Sequence, residues 1–425
     1  MKKKYRIILY TSIFLLCVVA SIILVVKKSN SVYEEESKPK VVKHKSMLSM
    51  NLEQTAGAGD YKTVTQSSWP TEGYKFNAEL SRCENGSTLS WDDTKKAVIV
   101  SGNLSDKCYV YFDIYQPTLA EYIKSQYTGT QGENNIYYHD SDLANGAGDN
   151  SYRYAGANPN NFVCFGTTES PCPTDNLYRI IGVFGENYHG VTGKQLVKLI
   201  KYDYMTTDEL GTDGDYSQTY KKWGMDSTYK GTYGDGERIG VYYWNYKATG
   251  SATNTWSTSL LNKTNLNTNF INNIGTTWAN KIATVTWKVG GNTWANIGTK
   301  TSSVAYTNEI TNPVTTNTTD NATTYSAKIG LMYVSDYGFA ADSSEWTEKL
   351  GSYKSSSKNW LYLGSIEWTI SRSSDNLYSA FYVKSGGVYS TYVTESYVVR
   401  PSFNLESSVK YVSGSGTIEN PIRIN

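Results

Sequence analysis

Leu177-Tyr-Arg-Ile-Ile-Gly-Val-Phe184 is followed, across a Gly-rich connection from Gly185 to Gly193, by Gln195-Leu-Val-Lys-Leu-Ile-Lys201. Both runs are short, rich in β-branched and aromatic residues, and bounded by turn formers, so they read as the two strands of a hairpin. The hairpin opens the larger of two exported domains, expected over residues 117–425.

Downstream, a long loop from Asp203 to Arg238 carries Asp208, Glu209, Asp213, Asp215, Asp226 and Asp235. Its spacing does not match the twelve-residue calcium loop, and it reads as solvated. Trp256, Leu260, Leu266, Phe270, Ile271 and Ile274 suit one or two short helices, with Ser257 as a cap. A strand is expected over 327–334, ending at the turn Ser335-Asp336-Tyr337-Gly338. Further short strands are expected at 366–370, 380–383, 387–389, 397–403 and 409–412.

Upstream, residues 129–173 form a long polar loop, and Pro117 to Tyr127 gives a helical signal with Pro near the start and Leu119, Tyr122 and Ile123 on one face. Residues 51–116 hold strand-like runs, among them Ala97-Val-Ile-Val100 and Tyr109-Val-Tyr-Phe112, at a spacing that predicts a small antiparallel β-sandwich. Residues 29–50, with Glu34-Glu-Glu36 and Lys38, Lys40, Lys43 and Lys45, hold too few apolar side chains to pack and read as a stalk.

The first 28 residues decide location. Ile7 to Val26 is an uncharged, mostly apolar run of twenty residues between Lys/Arg clusters, and as a helix it would extend ~30 Å, the thickness of a bilayer core. The denser N-terminal cluster leaves the N-terminus in the cytoplasm and the rest outside, a single-pass cell-membrane protein. A cleaved signal peptide would have a shorter apolar core and a small-residue cleavage site. A lipoprotein reading of Cys17 meets Leu15-Leu16 where a small residue is required.

Of the 425 residues, positions 1–50 hold ten basic and three acidic, leaving 30 against 36 beyond them, a net of −6. That balance argues against a nucleic-acid partner. Tyr (37), Gly (35) and Trp (11) are abundant, which favours strands and polar loops over a helical bundle. Besides Cys17 there are four cysteines, Cys83 with Cys108 and Cys164 with Cys172, an even number in an oxidising compartment. Two disulfides in that pairing are expected, since neither pair has the short duplicated spacing of a zinc site.

The series Leu177-Tyr-Arg-Ile-Ile-Gly182, Val197-Lys-Leu-Ile200, Ser259-Leu-Leu-Asn262, Ile329-Gly-Leu-Met-Tyr-Val-Ser-Asp-Tyr337, Trp368-Thr-Ile-Ser371 and Val399-Arg-Pro401 resembles a family of uncharacterised, membrane-anchored bacterial surface proteins over roughly residues 150–425. Trp368-Thr-Ile-Ser371, a strand with Phe381-Tyr382, and Val398-Val-Arg-Pro401 are similar to the closing strands of C-type-lectin-like domains. The resemblance implies an α+β fold with two or three helices and a small antiparallel sheet beneath long loops. The chain lacks the Glu-Pro-Asn and Trp-Asn-Asp triplets of the calcium-dependent sugar binders, and no Cys matches the catalytic pair of formylglycine-forming enzymes. Neither calcium nor a cofactor is carried over.

No nucleophilic triad is legible. His139 and His189 stand in loop-like sequence and read as solvated, and no Gly-x-Ser-x-Gly elbow is present. Asp336 and Glu367 are the leading carboxylates for a cell-envelope hydrolase, their plainer reading being a turn cap and a solvent-facing strand residue. Trp223, Tyr233, Tyr242, Tyr243, Trp244 and Tyr246 lie in loop-rich sequence, where rings with polar tips serve recognition. Trp256, Trp368 and Arg400 read as scaffold. The reading that follows is a non-enzymatic surface protein that binds a glycan or a partner surface protein. The rivals are a hydrolase and a structural coat protein.

Overall fold

The computed structural model describes residues 48–65, 68–70, 73–220, 238–294, 297–313, 322–353 and 357–425. The apolar run 7–26 and the expected stalk up to residue 47 lie outside them. Among the described residues no helix is long and apolar enough to cross a membrane. The protein is a strand-rich α+β structure with few helices and two disulfides, Cys83–Cys108 and Cys164–Cys172. It divides into two compact units, Met1–Gln116 and Pro117–Asn425.

In the first unit β1 (Leu48–Glu53), β2 (Tyr61–Val64), β3 (Tyr74–Phe76), β4 (Arg82–Cys83) and β7 (Cys108–Ile114) form one sheet, in which β4 pairs with β7. The remaining strands, β5 (Thr88–Asp92) and β6 (Ala97–Ser101), make a separate hairpin. Residues 48–50 thus belong to a strand and not to the stalk. The central pair β1–β7 is parallel, unlike the wholly antiparallel expectation, with Met50 opposite Val110 and Leu52 opposite Phe112. These four side chains are the core, and Trp91 of the hairpin meets Phe112 edge-on at 5.5 Å. Cys83 lies directly opposite Cys108 across β4 and β7, so the disulfide spans neighbouring strands.

The second unit starts with a helix, Leu119–Ser125, opened by a reciprocal cap between Thr118 and Glu121 that satisfies two end donors. Leu119, Ala120 and Ile123 bury its inner face. The end of the chain returns to it: Leu119 N–H donates to the Val409 carbonyl, and Tyr122 stacks on Tyr411 at 3.7 Å.

The main sheet holds β8 (Ile136–His139), β9 (Ser151–Tyr154), β10 (Phe162–Cys164), β11 (Leu177–Phe184) and β12 (Leu196–Lys201), with the later strands Ser402–Asn404 and Ile329–Gly330. β11 and β12 are antiparallel neighbours buried along their whole length, so the sheet is covered on both faces. Directly paired residues point to the same face. The register therefore sets two rows on one face: Phe162, Arg179, Ile200 and Ser402 in one, Arg153, Gly182, Lys198 and Asn404 in the other. A bulge between Ile180 and Gly182 keeps the rows on that common face. Gly182 cannot be replaced, since an added Cβ would stand 2.3 Å from the Tyr152 carbonyl oxygen.

Elsewhere, the segment from Val334 is helical, Val334–Ala340, and not the end of a strand. Ser257 does not cap a helix: it lies inside the short turn Trp256–Thr258, and the helix that begins at Leu261 has Leu260 at its N-cap, with Ser259 Oγ accepting the Asn262 N–H at 3.1 Å. Trp256, Trp368 and Arg400 are all buried.

Candidate functional site

The sheet face just described carries three basic side chains, and their surroundings differ. In the row through Gly182, Arg153 and Lys198 flank a residue without a side chain. Asp336, from the first turn of Val334–Ala340, fills the space. Lys198 Nζ lies 2.7 Å from Asp336 Oδ2 and donates to the Tyr188 hydroxyl at 2.6 Å, which donates in turn to Asp336 Oδ1 at 2.6 Å. Arg153 Nη1 is 3.7 Å from Asp336 Oδ1, and its Nη2 binds Asp149 at 2.8 Å. Two cations meet two carboxylates, with Lys198, Arg153 and Asp336 at most 1% exposed at their side chains. Burial pushes Lys198 down to about 8 despite Asp336 beside it. Glu309, also fully buried, is pushed up to about 7 by burial, while Ser335 and Ser371 donate to it and hold it from rising further.

Asp336 is thus a cap, accepting the Tyr333 N–H at 3.0 Å, and an ion-pair partner closed to solvent. Glu367 is not solvent-facing: it is 2% exposed and grips Arg400 through Nε and Nη2 at 2.8 and 2.9 Å. Both carboxylates are thus buried in ion pairs among the described residues, unlike the exposed pair that glycoside hydrolysis uses.

Both histidines are likewise buried, not solvated. His139 ends β8, its Nδ1 accepting the Ala147 N–H at 3.0 Å, and it packs against Phe339 and Trp346. His189 accepts the Val191 N–H at Nδ1 and faces the Phe184 carbonyl with Nε2. Burial pushes both imidazoles down, so both are neutral core groups. Of the acidic loop, Asp226 and Asp235 lie outside the described residues, Asp208 and Asp213 are exposed, and the rest is built into the fold. Asp215 is buried and accepts from the Leu261 and Tyr246 N–H groups, Glu209 pairs with Lys201, and Asp213 accepts from Asn269.

The expected recognition aromatics divide. Trp223 and Tyr233 lie outside the described residues. Tyr242 and Trp244 are core, each 0% exposed, with the Tyr242 hydroxyl donating to the Gly211 carbonyl and Trp244 Nε1 to that of Thr369. Their strand, Ile239–Tyr243, is paired on both sides, which turns Tyr242 inward toward Tyr216 and Tyr397. Of the four described, Tyr243 and Tyr246 reach the surface, stacked on one another at 4.6 Å.

The row through Arg179 ends differently, in a cleft of about 530 Å³. Arg179 forms its floor, between the rings of Phe162 and Trp360, whose centroids lie 4.3 and 4.6 Å from the guanidinium carbon. Its Nε donates to Asn161 Oδ1 at 2.7 Å and its Nη2 to the Pro159 carbonyl at 2.9 Å. The other three of its five N–H groups find no protein acceptor among the described residues, and no carboxylate lies within ion-pair distance. Burial, reinforced by Arg400 nearby, pushes Arg179 down to about 9, with Tyr202 opposing.

The chain matches no family model, no curated protein and no solved structure. The site therefore rests on its own geometry, which several neighbours fix. Asn161 holds Arg179 from one side while its Nδ2 donates to the Ile180 carbonyl at 2.8 Å. Trp360 is anchored by Nε1 to the Tyr154 carbonyl at 2.9 Å. The loop 417–419, which walls the cleft, follows Gly416, whose φ is +80° and where an added Cβ would stand 2.4 Å from the Asn160 carbonyl oxygen, so no side chain fits there. Phe162 belongs to β10, which the Cys164–Cys172 disulfide ties to the next loop. Asn158, Asn160, Tyr202 and Glu419 supply polar groups at the lining.

The sequence reading placed none of these residues at a site. One signal was present: Arg179 is the lone charge in the apolar run Leu177 to Phe184. A cation in a buried strand needs a counter-charge or a solvent-facing opening.

Proposed function

We propose that the protein is a non-catalytic, cell-surface binding protein, held by residues 7–26 as a single-pass anchor, whose C-type-lectin-like C-terminal unit takes a saccharide in the Arg179 cleft. One observation carries the reading: Arg179 is buried, held in place and, among the described residues, paired with no carboxylate, at the lining of an opening. A cleft of about 530 Å³ suits a small ligand, and its lining sets amide, hydroxyl and carboxylate groups beside the apolar surfaces of Phe162, Trp360, Leu363 and Ile418, a mixture that suits a sugar's hydroxyls and ring faces. Short helices and mainly antiparallel strands under long loops support the lectin-like reading of the fold. The burial of Asp336 and Glu367 speaks against the hydrolase.

The test is a saccharide array and a peptidoglycan pull-down with the full-length protein, the recovered ligand being analysed for cleavage. Retention of intact ligand is expected. Breakdown that disappears in Asp336→Asn or Glu367→Gln would overturn the proposal, as would retention of a partner protein with no saccharide retained. A carboxyl-terminal reporter exposed outside the cell, with Cys83, Cys108, Cys164 and Cys172 resistant to alkylation before reduction, checks the topology.

A further inference from the structure

The geometry points to a carboxylate-bearing saccharide as the ligand of the cleft, its carboxylate seated on Arg179; this rests on the saccharide-binding reading above and narrows it to acidic glycans. Arg179 as a whole residue is 4% exposed, so it is largely removed from water, and among the described residues no anion pairs with it. Its Nε and part of Nη2 are committed to Asn161 and Pro159, leaving both Nη1 N–H groups and one on Nη2. Such a planar set matches the two oxygens of a carboxylate.

The rings of Phe162 and Trp360 cover both faces of the guanidinium. They stop it from swinging toward a protein acceptor and leave only its edge for a ligand. Arg400, a second basic group that acts on it, is already neutralised by Glu367. One cation is therefore available for one negative charge. A dianionic phosphate would need further cations or a ring of backbone donors, and Glu419 at the lining opposes a second negative charge. That glutamate instead offers an acceptor for sugar hydroxyls, as Asn158 and Asn160 offer amides.

The experiment compares three ligands on the full-length protein: a disaccharide containing glucuronic acid, the same disaccharide with the carboxyl reduced to the alcohol, and a sulfated neutral analogue. Loss of a charge-assisted, two-point contact should weaken wild-type binding at least about tenfold on carboxyl reduction. Arg179→Gln should erase the difference between acid and alcohol, and Arg179→Lys should leave a reduced preference. The reduction arm needs no variant, so it decides the question even if Arg179→Gln folds poorly. Equal affinity for acid and alcohol, or preference for the sulfate, overturns the carboxylate inference and leaves saccharide binding standing. Retention of no saccharide across the wider array overturns both.

Discussion

Two rows of side chains on one face of the same sheet present cations to opposite ends of a physical scale. Around Gly182, Arg153 and Lys198 are matched by Asp149 and Asp336, with the Tyr188 and Tyr306 hydroxyls completing the network. Around Arg179 there are two hydrogen bonds and two rings, and among the described residues no carboxylate in ion-pair contact, Glu419 standing elsewhere in the cleft lining. Burial of charge is common to both rows, so burial alone marks neither as functional. What separates them is where neutralisation comes from. In the first, each cation faces a carboxylate of the fold, although Arg153 Nη1 makes no hydrogen bond and reaches Asp336 only at 3.7 Å; in the second, no ion pair is formed among the described residues.

The largest effect is expected where the closed network is broken. Lys198→Met leaves Asp336 buried with its hydrogen bonds from Tyr188 and Tyr333 but with Arg153, 3.7 Å away, as the remaining cation beside it, and stranding one partner of a buried pair costs about 3–5 kcal/mol. Chemical denaturation should show that loss, and Lys198→Met combined with Asp336→Leu should recover part of it. If Lys198→Met costs under about 1 kcal/mol, the network is not the self-contained scaffold described here.

Glu309 sharpens the same side of the comparison through pH. Its carboxyl is raised from an ordinary 4.5 to about 7 in the folded protein, so the folded state holds its proton more firmly than the unfolded state. Its contribution is full below pH 4.5 and is lost as pH climbs through 7, amounting to about 3 kcal/mol. Glu309→Gln cannot ionise. Relative to the wild type it should lose a constant amount at low pH, where one of the Val334 and Ser335 N–H groups faces the new amide, and gain ground between pH 5 and 8. Stability curves that stay parallel over that window would contradict the raised carboxyl.

The open side has its own brace. Cys164 and Cys172 close a loop of eight residues' separation, for which the chain-entropy model gives about 2.5 kcal/mol. Phe162 and Cys164 lie on the same short strand, so replacing both cysteines by serine should also loosen the ring that covers Arg179. The expected outcome is a lower melting temperature together with weaker saccharide binding. Lost stability with binding intact would detach the disulfide from the site.

How much of this was legible depended on the range of the interaction. The β11–β12 strands, the helix near residue 120 and the two disulfides follow from neighbours in sequence: apolar runs between turn formers, an N-terminal proline, paired cysteines. The site does not. Phe162, Arg179 and Trp360 are brought together by strand pairing and by a loop nearly two hundred residues further on, and no local pattern encodes that register. His139 reads as solvated because Asp140 and Asp142 follow it, yet the loop folds back and supplies the Ala147 N–H. Tyr242 and Tyr243 are adjacent and chemically identical; only the strand's alternation sends one inward and one outward. Glu367 reads as exposed because its partner Arg400 stands thirty-three positions away.

The smallest expected effect is the most discriminating. Arg179→Met removes a buried cation that leaves no carboxylate behind it. Two changes then oppose each other: Asn161 Oδ1 and the Pro159 carbonyl lose their donor, at a cost of about 1–2 kcal/mol, while the desolvation of an unneutralised guanidinium is relieved. The net change in stability should stay within about 1 kcal/mol in either direction, against several for Lys198→Met. Both cations lie on one sheet face and both are at least nine-tenths buried, so burial predicts equal losses and neutralisation predicts unequal ones. Parallel denaturation of the two variants separates these accounts, and a large loss for Arg179→Met would place its role in the scaffold and remove the physical basis for a ligand in the cleft.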